Sequence, residues 1–120
     1  MAFRDSYFTL LDNTGAKIVK CIYSYESKII KPGGIILVTV KQVLPHRKVK
    51  KGQLFKAVVV RLCKTTKRLN GLCVKYYENS VVLLKKTELV PLGTRIFGSV
   101  FIEIRRKGFM KIITLSAFTL

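Results

Sequence analysis

Apolar residues in this chain come in short runs separated by turn-forming residues, a rhythm that predicts strands rather than helices. Residues 7–11, Tyr-Phe-Thr-Leu-Leu, are β-prone and stop at Asp12-Asn13-Thr14-Gly15, residues that favour a turn or a left-handed position. Residues 16–23 form a second predicted strand, with Ala16, Ile18 and Lys20 on one side and Val19, Cys21 and Tyr23 on the other. It has few wholly polar positions, so both faces are expected to pack for part of its length. Residues 24–32 show no period and lead into Pro32-Gly33-Gly34, a loop by composition. Residues 35–43 are rich in β-branched side chains and give a third strand. Residues 54–62 give a fourth, with Lys56 early and Arg61 late. After the turn pair Asn70-Gly71, residues 72–77 are expected to pair through Glu78-Asn79-Ser80 with residues 81–84 as a hairpin.

The last third changes character. Gly93-Thr94-Arg95-Ile96-Phe97-Gly98 is bracketed by glycines, and residues 99–106 fit a short helix capped by Ser99, with a strand as the competing reading. Phe109, Ile112, Ile113 and Ser116 recur at helical spacing and predict a second short helix. Five or more short strands with a small helical tail define a mainly β class: a closed or partly closed β-barrel, a common platform for nucleic acid. With 120 residues, the expectation is one domain over 1–120, with the barrel at about 7–84 and the helical region at about 93–120.

Charge is what turns this fold reading towards function. Lys and Arg number 23 against 6 Asp and Glu, a formal net charge of +17, so an acidic partner is expected. A membrane surface is the rival, but no basic amphipathic helix or lipidation signal supports it. Three cysteines, Cys21, Cys63 and Cys73, form no CxxC and read as small hydrophobes in strands of a protein from a reducing compartment. Residues 1–6 lack a signal-peptide core and an Arg-rich transit pattern; the protein is expected to stay where it is made, or to have lost its targeting segment.

The cations fall into four clusters: Arg47, Lys48, Lys50 and Lys51; Arg61, Lys64, Lys67 and Arg68; Lys85 and Lys86; and Arg105, Arg106, Lys107 and Lys111. Leaving all of them in water accumulates self-repulsion, so phosphate contact is favoured over a merely solvated surface. The first two flank the apolar run 54–62, which suggests a buried strand between two basic edges. Catalysis has little support. His46 sits among cations that disfavour its protonated form, and the carboxylates Asp5, Asp12, Glu26, Glu78, Glu88 and Glu103 are scattered. Asp12 suits a turn better than a general base, and no cofactor, metal site or phosphate-cradling glycine loop is expected. Tyr76 and Tyr77 are candidate stacking rings, pointed by alternation to opposite faces, so backbone and shape recognition is favoured over base reading.

The motifs together resemble one family. Asp12-Asn13-Thr14-Gly15-Ala16-Lys17, Val49-Lys50-Lys51-Gly52, Lys56-Ala57-Val58-Val59-Val60-Arg61, Arg68-Leu69-Asn70-Gly71, Gly93-Thr94-Arg95-Ile96-Phe97-Gly98 and Phe109-Met110-Lys111-Ile112-Ile113 stand in the order and spacing of the universal large-subunit ribosomal protein L-fourteen family, bacterial and organellar type. Tyr76, Asn79 and Val82 fit it too, and the match runs from about Leu10 to Leu115. The resemblance implies a five-stranded barrel with a projecting β-ribbon and two small C-terminal helices, monomeric within the ribosome. It also implies binding to large-subunit rRNA, bridges to small-subunit rRNA, and contacts with ribosomal proteins L-three and L-nineteen. Ribosome-silencing factors dock on the family surface that corresponds to Thr94, Arg95 and Lys111.

The departures are local. Residues 24–31 lack paired glycines, Ile35 replaces an Asp, Ser99 replaces a Pro, and residues 116–120 differ from the usual ending. The abundance of Ile, Lys, Tyr and Phe suggests an AT-rich organelle, a mitochondrion before a plastid, with bacterial cytoplasm as the further alternative. Two other functions stay open on the residues alone: a free single-strand-binding barrel using exposed aromatics, and a small basic nuclease using His46.

Overall fold

Long β-branched runs without helical period fold here as strands that close on themselves. The computed structural model describes residues 5–26, 28–45, 47, 49–116 and 118–119. Strands β1 (Tyr7–Leu10), β2 (Ala16–Ser24), β3 (Ile35–Val43), β4 (Leu54–Arg61) and β7 (Ser80–Leu83) form a closed barrel in the order β1-β2-β3-β4-β7. Neighbours are antiparallel except at the seam, where β1 runs parallel to β7 with Thr9 opposite Ser80 and Leu10 opposite Val81. Between β4 and β7 lie the two-residue strands β5 (Thr66–Lys67) and β6 (Cys73–Val74), a short ribbon around Asn70-Gly71. Beyond β7 come β8 (Ser99–Val100), helices α1 (Glu103–Arg106) and α2 (Met110–Leu115), and β9 (Phe118–Thr119), which pairs in parallel with β8. The mainly β class, the five-stranded barrel and the two short helices therefore agree with the expectation.

Alternation fills the barrel. Phe8, Val19, Val38, Val40, Val59, Val81 and Leu83 are buried on its inner wall, each worth about 1.5–3 kcal/mol relative to exposure. Strands β4 and β7 are buried almost throughout, because the C-terminal segment covers their outer faces: Phe101 N–H donates to the Val60 carbonyl at 3.2 Å, and Phe101, Ile104 and Ile112 join the core. In β2 the burial phase is not constant. Register shifts lie between Ala16 and Val19 and between Cys21 and Tyr23, so Ala16 and Val19 are both buried. Tyr23, expected on the side of Cys21, is turned out and 48% exposed.

Three expectations need correction. Residues 72–77 do not pair with 81–84: β6 takes β5 as its partner across the Asn70-Gly71 turn, while β7 inserts between β4 and β1. Long-range pairing with two strands outcompetes the nearby one, and Asn79 is held by its Oδ1 accepting from Cys63 N–H at 2.9 Å. Ser99 does not cap α1; it is buried in β8, and Ile102 stands at the helix start without a side-chain cap. Of the three cysteines only Cys21 is a core residue, for Cys63 lies outside the strands and Cys73, though in β6, is exposed.

An ion pair ties the ribbon to the C-terminal region. Arg68 Nε donates to Glu103 Oε1 at 2.8 Å and its Nη2 to Oε2 at 3.3 Å, a two-pronged contact with both side chains largely covered. A double-mutant cycle of Arg68→Ala and Glu103→Ala, read by urea unfolding, is expected to show a coupling of about 1 kcal/mol, the partial exposure of both groups lowering it from the buried range. Strictly additive effects would show the pair to be inert.

Candidate nucleic-acid interface

Strand direction decides where the cations meet. The C-terminal ends of β1, β3 and β7 and the N-terminal ends of β2 and β4 share one end of the barrel. The connections at that end are the turn 11–15, the loop 44–53 and the segment 84–95, so Arg47, Lys50, Lys51, Lys85, Lys86 and Arg95 gather there, all exposed. At the opposite end Arg61, Lys64, Lys67 and Arg68 join Arg105 and Arg106, because α1 is anchored there by the Arg68 pair and by Lys107, whose Nζ lies 3.7 Å from Glu26 Oε2. The four clusters of the sequence thus become two basic poles.

At the first pole the loop is built to hold its charges outward. Leu44 N–H donates to the Gly15 carbonyl at 2.8 Å, and Lys50 N–H donates to Gln53 Oε1 at 2.8 Å, closing a turn over buried Val49. Gly15 has φ +100°, and the Arg47 stem packs where a Cβ at that glycine would stand. An open groove of about 770 Å³ results, with Arg47, Lys85 and Lys86 on its walls, Val49, Phe55 and Leu92 as apolar lining, and Asn13 and Thr94 at one side. His46 and Lys48, also assigned to this cluster, lie outside the described residues.

Thr94 and Arg95 are presented at the same pole by Asn13. Asn13 Oδ1 accepts from Thr94 N–H at 2.9 Å and Arg95 N–H at 3.2 Å, while its Nδ2 donates to Thr94 Oγ1 at 2.8 Å. Asn13 is fixed in turn by Asp12, which is buried. Asp12 Oδ1 accepts from Thr14 Oγ1 at 2.8 Å, and Oδ2 accepts from Leu83 N–H at 3.1 Å. Burial pushes its carboxyl above the usual value of 3.8, against those hydrogen bonds, which favour the ionised form. The sequence marked Asp12 as a turn residue; its place on a short polar stretch between two strands gives no sign that it also reaches across to β7. Lys111 is exposed on α2, a separate element.

Two cations of the second cluster are engaged within the fold. Besides the Arg68 pair, Arg61 Nε donates to the Ser99 carbonyl at 2.8 Å, Nη1 lies 3.8 Å from Glu78, and the guanidinium stands 5.2 Å from the Tyr76 ring centroid. Gly98, at φ +75°, leaves the space that this guanidinium fills. Lys64, Lys67, Arg105 and Arg106 remain exposed. Tyr76 packs edge-on against Phe101 and its hydroxyl meets Ser99 Oγ at 3.1 Å, whereas Tyr77 is fully exposed. No group of three metal-ligating side chains occurs among the described residues, and no described helix is long and apolar enough to cross a membrane.

A closed barrel whose poles carry exposed cations over a covered core is a small basic barrel protein. Comparison with known families then gives the particular group: the chain belongs to the family described as ribosomal protein L14p/L23e, whose model matches residues 1–120. It is a structural protein of the large ribosomal subunit, works in translation at the ribosome, and comes from a family that is not enzymatic.

Two outcomes test the site's construction. A carboxyl whose folded pKa is raised binds its proton more readily in the folded state, so its contribution to stability grows as pH falls through that pKa and is lost as pH rises. Wild type should therefore lose less stability than Asp12→Asn on acidification through the window just above 3.8, read by urea unfolding at stepped pH. Asn13→Ala should speed amide exchange at Thr94 and Arg95 about fivefold, the worth of roughly 1 kcal/mol of hydrogen bonding, with the barrel amides unchanged.

Proposed function

We propose that this protein is held in the large subunit by phosphate contacts from its two basic poles to large-subunit rRNA. Arg47, Lys48, Lys50, Lys51, Lys85 and Lys86 serve one pole, and Lys64, Lys67, Arg105 and Arg106 the other, while Arg61 and Arg68 brace the segments that carry the second set. The observation that carries the reading is the convergence of three sequence-distant segments on one basic groove, lined by Arg47, Lys85 and Lys86. With 23 Lys and Arg against 6 Asp and Glu, cations left beside one another in water would be costly; phosphates relieve that repulsion and release counterions. Thr94 and Arg95, with Lys111, form the face offered to the joining subunit: bridges to small-subunit rRNA, and docking of a ribosome-silencing factor. Ribosomal proteins L-three and L-nineteen are the proposed neighbours, and the abundance of Ile, Lys, Tyr and Phe favours a mitochondrial ribosome.

Arg47→Ala, Lys50→Ala and Lys51→Ala should each weaken binding to large-subunit rRNA without changing sequence preference, and should each flatten the salt dependence by about one ion. An unchanged slope removes that residue from the contact set. The protein should co-sediment with large subunits through moderate salt; quantitative recovery in the ribosome-free fraction would sink the reading. Arg95→Glu should weaken silencing-factor docking by about tenfold or more while leaving thermal unfolding unchanged.

A further inference from the structure

The outer wall of strands β1 to β4 carries a second kind of surface, far from a simple charge cluster. In-register partners on neighbouring strands share a face, and Tyr7 stands opposite Lys20, Lys20 opposite Thr39, and Thr39 opposite Leu54. A second row runs from Tyr23 to Leu37 to Lys56. Residues of the alternate parity, such as Phe8, Val19, Val38 and Phe55, are buried, so both rows face outward. Tyr7, Tyr23, Tyr25 and Leu54 are 59%, 48%, 47% and 51% exposed.

The rings and cations are interleaved. Lys20 Nζ lies 5.9 Å from the Tyr7 ring centroid and Lys56 Nζ 5.5 Å from that of Tyr25, while Tyr23 and Tyr25 meet edge-on at 5.1 Å. The shift in register after Cys21 is what brings Tyr23 out to this wall, since strict alternation would send it inward with Cys21. Asp5 borders the patch, its carboxylate 3.8 Å from Lys20 Nζ, and Glu26 follows Tyr25 in the chain.

We propose that this wall is a stacking platform for unpaired RNA bases, used in addition to the phosphate-binding poles. Exposed rings supply sequence-tolerant stacking, the two lysines meet the linking phosphates, and four strands about 14 Å across offer room for two or three bases, as in other four-stranded sheets that stack RNA. The positive charge of the patch and of the chain, together with three exposed rings, favours RNA over an acidic protein segment. The inference rests on the rRNA-binding reading and adds to it a contact with bases.

The test compares the full chain's affinity for a short unstructured oligoadenylate with that for an abasic oligonucleotide of equal length and charge. With no Trp and 5 Tyr in the chain, tyrosine fluorescence reports stacking directly. Wild type should prefer the oligoadenylate by about tenfold, with quenching. Tyr23→Ala with Tyr25→Ala should abolish the preference, and Tyr23→Phe with Tyr25→Phe should keep it, since stacking needs the ring and not the hydroxyl. Equal binding of both oligonucleotides by wild type, or a preference that survives in the alanine variant, overturns the platform and leaves the phosphate reading standing. Loss of the preference in the phenylalanine variant, with folding verified by thermal unfolding, also overturns it. Failure of wild type to bind either oligonucleotide counts against both readings, whereas Arg47→Ala should weaken both ligands alike.

Discussion

The barrel closes on a parallel seam only two residue pairs long, and the Asp12 carboxylate extends it. Strand β1 delivers the Thr9 and Leu11 amides to the carbonyls of Asn79 and Val81, at 3.0 and 3.3 Å. Past that point the backbone turns away, and the Leu83 amide is received by the Asp12 side chain. Burying a carboxylate there is unfavourable, which its raised pKa expresses, but leaving the Leu83 amide without an acceptor inside a closed barrel would be unfavourable as well. Everything at the first pole follows from that anchor. Asp12 fixes the turn, Asn13 takes hold of Thr94 and Arg95, and Gly15 receives the stem of Arg47 and the Leu44 amide.

Much of this architecture was readable from the residues. The β-branched runs of β3 and β4 and the turn residues around them carry their strand signal locally, so their positions were plain. The hairpin expected at 72–84 failed because the merit of β7 lies in partners distant in sequence, β1 and β4, which no local pattern encodes. The same physics limited the site. Basic clusters are visible as runs, but that Arg61 and Arg68 would be engaged by Glu78 and Glu103 depends on how the ribbon and α1 come together. Tyr23 was assigned to the side of Cys21 because alternation presumes an unbroken ladder, and a register shift re-aims it.

Once folded, the chain separates its tasks by location. The inner wall holds the structure, the two ends gather charge, and the outer wall of β1 to β4 displays aromatic rings with lysines between them. Glycine lets cations come into close contact with backbone at Gly15, beneath Arg47, and at Gly98, beside Arg61. In the first, the fold supports a guanidinium left exposed; in the second, it draws one in to fasten β8 to β4.

Barrel closure also matters before the ribosome exists around this protein. Each main strand has both edges occupied, and among the described residues the remaining ribbons, β5 with β6 and β8 with β9, have strands only two residues long. A newly made copy therefore presents other copies with little backbone on which to add a strand, and like charge keeps them apart. The closed barrel thus tolerates appreciable concentration without nucleating polymeric sheet.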